Sequence, residues 1–319
     1  MKNVLILFGG NSCEHEISCK SVNFIINNID NNLFTYKVVG IDFNNNWYEI
    51  NDKCKIDENW KNNIINKVNN IIEYLSRFDI VFPVIHGNGG EDGKLQGLFE
   101  LNNIKYVGCD SYSSLICYDK LLTKLILEKY SIPQVPYMIY RKNINLDNIQ
   151  YPVIVKPCKC GSSIGINVAY TKKELKNYIK EAYKYDNSII IEKFIKNKKE
   201  LECAIIEDKN KIIVSNIGEI LSNNKMYDFN LKYKTKANTK ILDMDLLNKD
   251  IQIYSKKIFE ILGCKGLSRI DFLYDLDENK LYFNEINTMP GFTEISMYPI
   301  LINSLGYSFK DMISTMINP

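Results

Sequence analysis

The sequence predicts an α/β fold divided among several packed units, with α+β character in its later part. Three observations carry this. Strand-like and helix-like apolar patterns alternate over roughly residues 1–110, which argues for a parallel sheet flanked by helices. Further on, Arg269–Tyr274 and Leu281–Asn287 read as two strands, with the polar stretch Asp275–Lys280 as the turn of a hairpin. The chain has 319 residues, 45% of them apolar, enough for two or three packed domains.

Taken in order, Lys2–Phe8 reads as a buried strand ending at Gly9-Gly10, and Val22, Ile25, Ile26 and Ile29 follow with helical spacing. Phe34–Asp42 and Trp47–Ile50 read as strands. Ile64, Ile65, Val68, Ile71, Ile72 and Leu75 mark one face of a long amphipathic helix, before a strand at Asp79–Ile85. A second unit, residues 111–193, opens with a helix marked by Leu121, Leu122, Leu125 and Ile126, closed off before Pro133. Pro152–Lys156 is a strand feeding a Gly/Ser loop. Thr171 and Glu174 form a capping box for a helix reaching about Tyr185, and Ser188–Glu192 is a strand. A third unit, residues 194–319, has strands at Glu200–Ile206 and Lys211–Ile220, a helix at Asp245–Leu262, and then the hairpin.

Composition narrows the function. Forty basic residues against 38 acidic leave no global field for nucleic acid or an anionic membrane. Nine scattered cysteines in so long a chain, without C-x-x-C spacing, read as reduced cytoplasmic thiols. The apolar start Val4–Phe8 is too short for a secretory signal, and no 18-residue apolar stretch suggests a membrane span.

The hairpin carries the most chemistry. Side chains alternate faces along a strand, so Arg269 shares a face with Asp271, and Glu285 with Asn287. Pairing those faces brings together two carboxylates, an amide oxygen and a guanidinium. Such an oxygen set suits Mg²⁺ with phosphate oxygens, and the Arg suits a phosphoryl group or an oxyanion. A surface hairpin with a satisfied ion pair is the plain alternative. The Pro290-Gly291 turn that follows brings backbone N–H groups close to any substrate.

Other segments leave two readings open. Gly9–Glu16 follows a strand and opens a helix; its Glu14 and Glu16 would repel phosphate and suit a cationic group, or simply cap the helix with Ser12. His86–Gly93 holds four glycines and ends a strand, and His86 is expected to position its neighbours. Lys156-Pro157 followed by Gly161–Gly165 is either a phosphate-covering loop or a plain hairpin turn. Glu192, in a strand running on to Lys193, could accept from an adenine amino group or a ribose hydroxyl, or could be an exposed strand end. Tyr227–Tyr233 is an aromatic loop of mixed charge.

Taken in order, the motifs at 9–18, 86–93, 156–165, Lys232-Tyr233, Arg269-x-Asp271 and 284–293 resemble the D-alanine–D-alanine ligase family of ATP-grasp enzymes. The resemblance implies a Rossmann-like N-terminal domain at 1–110 followed by a two-lobed ATP-grasp fold, a homodimer, and ATP with Mg²⁺ (or Mn²⁺). It implies Lys120 and Lys156 on the phosphates, with Glu192, Lys193, Ile195 and Glu200 around adenine and ribose. Asp271, Glu285 and Asn287 would hold the metal. Glu14 would bind the first D-alanine's ammonium, bridged through Ser162 to Tyr233. Arg269 and the Gly291 N–H would form the oxyanion hole. His86, Lys232, Ser296 and Met297 would contact substrate.

This chain departs from the family pattern in places. Glu192 and Glu200 stand one residue further apart than the family spacing, and the glycine between them is missing. The Pro-Ala pair expected after Tyr233 is absent, and Cys158 and Cys160 flank the Gly/Ser loop. Related ligases make D-alanyl-D-serine, some with Arg at the place of Met297; Met297 and Tyr233 favour D-alanine.

Overall fold

The computed structural model describes residues 1–51, 55–142, 144–221, 238–242 and 246–318. Lys232, Tyr233 and the whole 227–233 stretch lie outside the described residues.

The first sheet holds β1 (Lys2–Gly9), β2 (Phe34–Ile41), β3 (Trp47–Ile50), β4 (Ile64–Lys67) and β5 (Ile80–Val84), in the order β4-β3-β2-β1-β5. Only β1, β2 and β5 run parallel; β3 and β4 add on antiparallel, so the sheet is mixed rather than parallel. The cause is the short β2–β3 connection, since parallel neighbours need a long crossover. Asp42 closes that turn by accepting from the N–H groups of Asn44 and Asn46, each at 2.9 Å.

The long helix expected over Ile64–Leu75 is two elements. Ile64–Lys67 is the edge strand β4, and only Ile71–Leu75 is helical (α2), with Asn70 capping it by accepting from the Glu73 N–H. The apolar spacing misled because Ile64 and Ile65 are exposed on the edge strand, while Val68 and Leu75 are buried. β-Branched neighbours favour a pleated edge over a helix.

Helix α1 (His15–Asn28) covers one face of this sheet, burying Val22 and Ile25 beside Val4, Ile6 and Phe8. The same core takes in Tyr298, Leu301, Met312 and Ile313 from two later helices, Met297–Asn303 and Phe309–Ile317. The other face buries Leu5, Leu7, Val81 and Phe99. Each such apolar side chain stabilises the fold by about 1.5–3 kcal/mol through burial.

A four-stranded antiparallel sheet follows, in the order β6-β9-β7-β8: β6 (Tyr137–Tyr140), β7 (Val153–Pro157), β8 (Asn167–Ala169) and β9 (Ile189–Lys193). The helix Lys172–Ala182 packs on it through Leu175 and Ile179, and Thr171 caps that helix from the Glu174 N–H. The third sheet is antiparallel, in the order β12-β11-β10-β13-β14, built from β10 (Lys198–Asp208), β11 (Lys211–Leu221), β12 (Asn238–Ile241), β13 (Leu267–Asp275) and β14 (Lys280–Asn287). Its core buries Leu201, Ile270 and Phe283 with Ile251 and Ile258 of the helix Leu246–Ile261. Cys117 and Leu127, from the helices Ser111–Tyr118 and Lys120–Lys129, join that same core.

Candidate active site

A cleft of about 930 Å³, counting its open mouth, lies between the second and third sheets. Lys120, Lys156, Glu192, Glu200, Asp271 and Glu285 all line it. It continues into a smaller pocket that Glu14, His86, Ser162, Arg269, Asn287 and Gly291 line.

On the third-sheet wall, strand register does the positioning. Asp271 stands directly opposite Glu285, and Arg269 opposite Asn287. Directly opposed residues place their Cβ atoms about 4.5–5.5 Å apart. Arg269 donates to both oxygens of Asp271 at 2.8 Å and pairs with Glu202 at 2.9 Å. The Asn287 amide donates to Asp271 at 3.2 Å. A register irregularity follows Asp271, after which Phe272 turns into the core. Two carboxylates and an amide on one face of the β13–β14 hairpin are hard oxygen donors, the chemistry that Mg²⁺ takes.

On the opposite wall, Glu192 is held by two lysines: Lys124 at 2.7 Å and Lys156 at 2.5 Å. Burial works to raise its pKa, but the two ammonium groups prevail and pull it down to about 2. Lys156 also donates to Asn284 of β14 at 3.2 Å, so it spans the cleft. Lys120 donates to the Cys160 carbonyl at 2.9 Å and lies 3.6 Å from Glu285. Ile195 is buried at the cleft floor, while the Lys193 ammonium pairs with Glu278. Glu200 sits beside Lys198 at 3.4 Å.

The smaller pocket joins the first domain to the Gly/Ser loop. Ser162 donates to Glu14 at 2.5 Å. Ser162 and Ser163 both have left-handed backbones, at φ 53° and 59°, a conformation that costs a non-glycine residue on the order of 1 kcal/mol. Gly87 crowds Glu14 from the other side: a Cβ there would lie 2.6 Å from the carboxylate. His86 is buried and neutral-favouring, its pKa lowered by desolvation. Its Nδ1 meets the Met289 carbonyl at 2.9 Å and its Nε2 the Ser21 hydroxyl at 3.0 Å. His15 is structural: its Nδ1 meets the Gly10 carbonyl, and its Nε2 accepts from the Trp60 N–H at 3.1 Å.

Two predicted residues stand apart from this pocket. Ser296 bonds within its own turn, to Thr293. Met297 is buried in the first core, so close under β11 that a Cβ on Gly218 would meet its sulfur at 2.5 Å.

Three residues escaped the sequence reading: Glu91, Lys124 and Glu202. Glu91 accepts from the N–H groups of Gly87 at 2.8 Å and Met289 at 3.1 Å. Burial first, then the charge of Glu14, pushes its pKa up to about 8. Its place within the glycine-rich 86–93 segment was the available signal. Lys124 and Glu202 gave none: both fall outside the apolar stripes that patterning would bury, yet both are inside.

Residues 3–109 match the family model described as the D-ala D-ala ligase N-terminus, and residues 126–318 the one described as its C-terminus. Fold and cleft thus define an enzyme of the ligase class, with an α/β domain followed by a two-lobed ATP-grasp fold. The D-alanine–D-alanine ligase of Acetivibrio thermocellus is 38% identical over 360 residues, covering 99% of this chain and 95% of that protein. D-alanine–D-alanine ligase B of Clostridium tetani is 36% identical, covering 98% and 92%. Among solved structures, the VanG D-Ala:D-Ser ligase from Enterococcus faecalis superposes with a TM-score of 0.87 at 32% identity, over 99% of this chain and 98% of that one. The D-alanine–D-alanine ligase from Coxiella burnetii gives 0.81 at 29% identity, over 100% and 94%. The chain belongs to the D-alanine–D-alanine ligase family.

Proposed function

We propose that the protein joins two D-alanines into D-alanyl-D-alanine, with ATP hydrolysed to ADP and phosphate, for peptidoglycan precursor synthesis. The observation that carries this is the pocket shared by Glu14, Ser162, Arg269 and Gly291, opening onto a cleft lined by Lys120 and Lys156. A carboxylate is a poor electrophile, so ATP first converts that of the first D-alanine to an acyl phosphate. The amine of the second then attacks the acyl carbon, and phosphate leaves.

The chain's own groups suit each need. Glu14 takes the first ammonium, held in place by Ser162. Lys120 and Lys156 spread the phosphoryl charge, and Glu192, Lys193, Ile195 and Glu200 surround the base and ribose. Arg269 and the Gly291 N–H stabilise the tetrahedral oxyanion. Asp271, Glu285 and Asn287 fit Mg²⁺, which when bound neutralises phosphate oxygens. His86 and Glu91 fix Met289, two residues before Gly291, at its C=O and its N–H respectively.

The free thiols of the described cysteines support a reducing, cytoplasmic setting. We also infer a homodimer from the family resemblance, to be checked by sedimentation. Phosphate release with ATP and D-alanine, followed by product analysis with D-serine in competition, tests the activity. No phosphate release, or dominant D-alanyl-D-serine at equal concentrations, overturns it.

A further inference from the structure

Lys120 and Lys124 stand one turn apart on the helix Lys120–Lys129, yet they meet the cleft differently. Lys120 lines it. Lys124 is only 2% exposed and stands behind Glu192. Each oxygen of Glu192 has its own lysine: Oε1 is 2.7 Å from Lys124 and Oε2 is 2.5 Å from Lys156. The Lys124 ammonium also lies 5.0 Å from the centre of the Tyr137 ring, a second attractive contact that holds it there.

We propose that Lys124 is a positioning residue for the nucleotide: it is the fixed counter-ion of Glu192, and so releases Lys156 to follow the nucleotide's phosphates. This rests on the reading that the cleft binds ATP. One buried carboxylate facing two cations has one more than it needs. A buried charge stripped of its last partner is strongly destabilising. With Lys124 in place, Glu192 keeps a partner when Lys156 turns to a phosphate. Without it, Lys156 is the only cation on Glu192 and must stay. Lys156 is already shared with Asn284 across the cleft, which suits a side chain that changes partner. Lys124 is too deeply buried to reach a phosphate itself.

The test compares ligands with and without phosphates. Binding of ATP, ADP and adenosine is measured by calorimetry on the full chain and on Lys124→Met. The expected result is a rise in Kd of about tenfold or more for ATP and ADP, with adenosine changed by less than about twofold. A merely structural role would weaken all three alike, and that result overturns the proposal, as does no weakening at all. The same substitution is then made in a Glu192→Gln background, where Lys124 loses its charge together with the carboxylate it pairs, which keeps the test open should Lys124→Met alone not fold. There Lys124→Met adds no further loss if it acts through Glu192; a further tenfold loss overturns the idea. Wild-type protein that binds neither ATP nor ADP removes the nucleotide reading itself.

Discussion

The Ser162 hydroxyl donates to the Glu14 carboxylate at 2.5 Å, across 148 residues of sequence, from the β7–β8 loop to the start of α1. It ties the Gly/Ser loop to the first domain at the spot where the substrate ammonium is proposed to sit.

Ser162→Ala should therefore lower kcat/KM for the first D-alanine by about tenfold to a hundredfold, the range that a hydrogen bond to a charged group of about 1.5–3 kcal/mol spans. Melting temperature should fall by no more than several degrees, since the same energy is withdrawn from the fold. Steady-state kinetics with D-alanine varied checks this, and an unchanged kcat/KM would show that the bond is incidental.

Glu285 faces Asp271 across the hairpin and is partly open to the cleft. Glu285→Gln keeps the shape and removes one charge from the proposed metal set. Turnover should fall at least about a hundredfold, as removal of a preorganised charge at a reacting centre does. The Mg²⁺ concentration for half-maximal rate should rise as well. A magnesium titration of both proteins reads this, and identical curves would exclude a role in metal binding.

Glu91 gives a pH signature. Its pKa is raised from the ordinary 4.5 to about 8 in the fold, so between those values the folded protein holds a proton that the unfolded chain has released. Its contribution is complete below about 4.5 and is lost as pH rises towards 8. The slope is at most ~1.4 kcal/mol per pH unit, and less because water reaches part of the group. Glu91→Gln should flatten the decline of stability over that window, as measured by urea unfolding at several pH values. An unchanged slope would mean that another group carries the titration.

Met297→Arg, a substitution suggested by the D-serine ligases, meets an obstacle in this chain. The methionine sulfur packs tightly under Gly218, so a longer, charged side chain there overpacks against β11. The variant should lose several degrees in melting temperature, as a cost of about 1–3 kcal/mol for overpacking implies. Thermal unfolding would detect this before any change in amino-acid choice is interpreted.

The strand-borne part of the site was legible because alternation is a local rule. Arg269, Asp271, Glu285 and Asn287 needed only a hairpin of the right register. The helix carrying Lys120 and Lys124 was found but turned the wrong way. Leu122 and Leu125 looked like its buried stripe, yet both are exposed, while Thr123, Lys124 and Leu127 are inside. A lysine reads as surface until its carboxylate partner is known, and Glu192 lies 68 positions away with no local signal linking the two. The same blindness to distant partners produced the false helix over Ile64–Leu75, because only pairing with β3 makes Ile64–Lys67 a strand.

The last two helices, Met297–Asn303 and Phe309–Ile317, close the core that Val4, Ile6 and Phe8 begin. During synthesis, the first sheet therefore leaves the ribosome with one apolar face only partly covered, by α1, and it stays so until nearly the whole sequence has been made. The first domain is contiguous in sequence to about residue 109 but not self-sufficient in packing. Expressed alone over that span, it should expose the surface those helices cover and aggregate, whereas adding residues 297–317 in trans should restore its solubility.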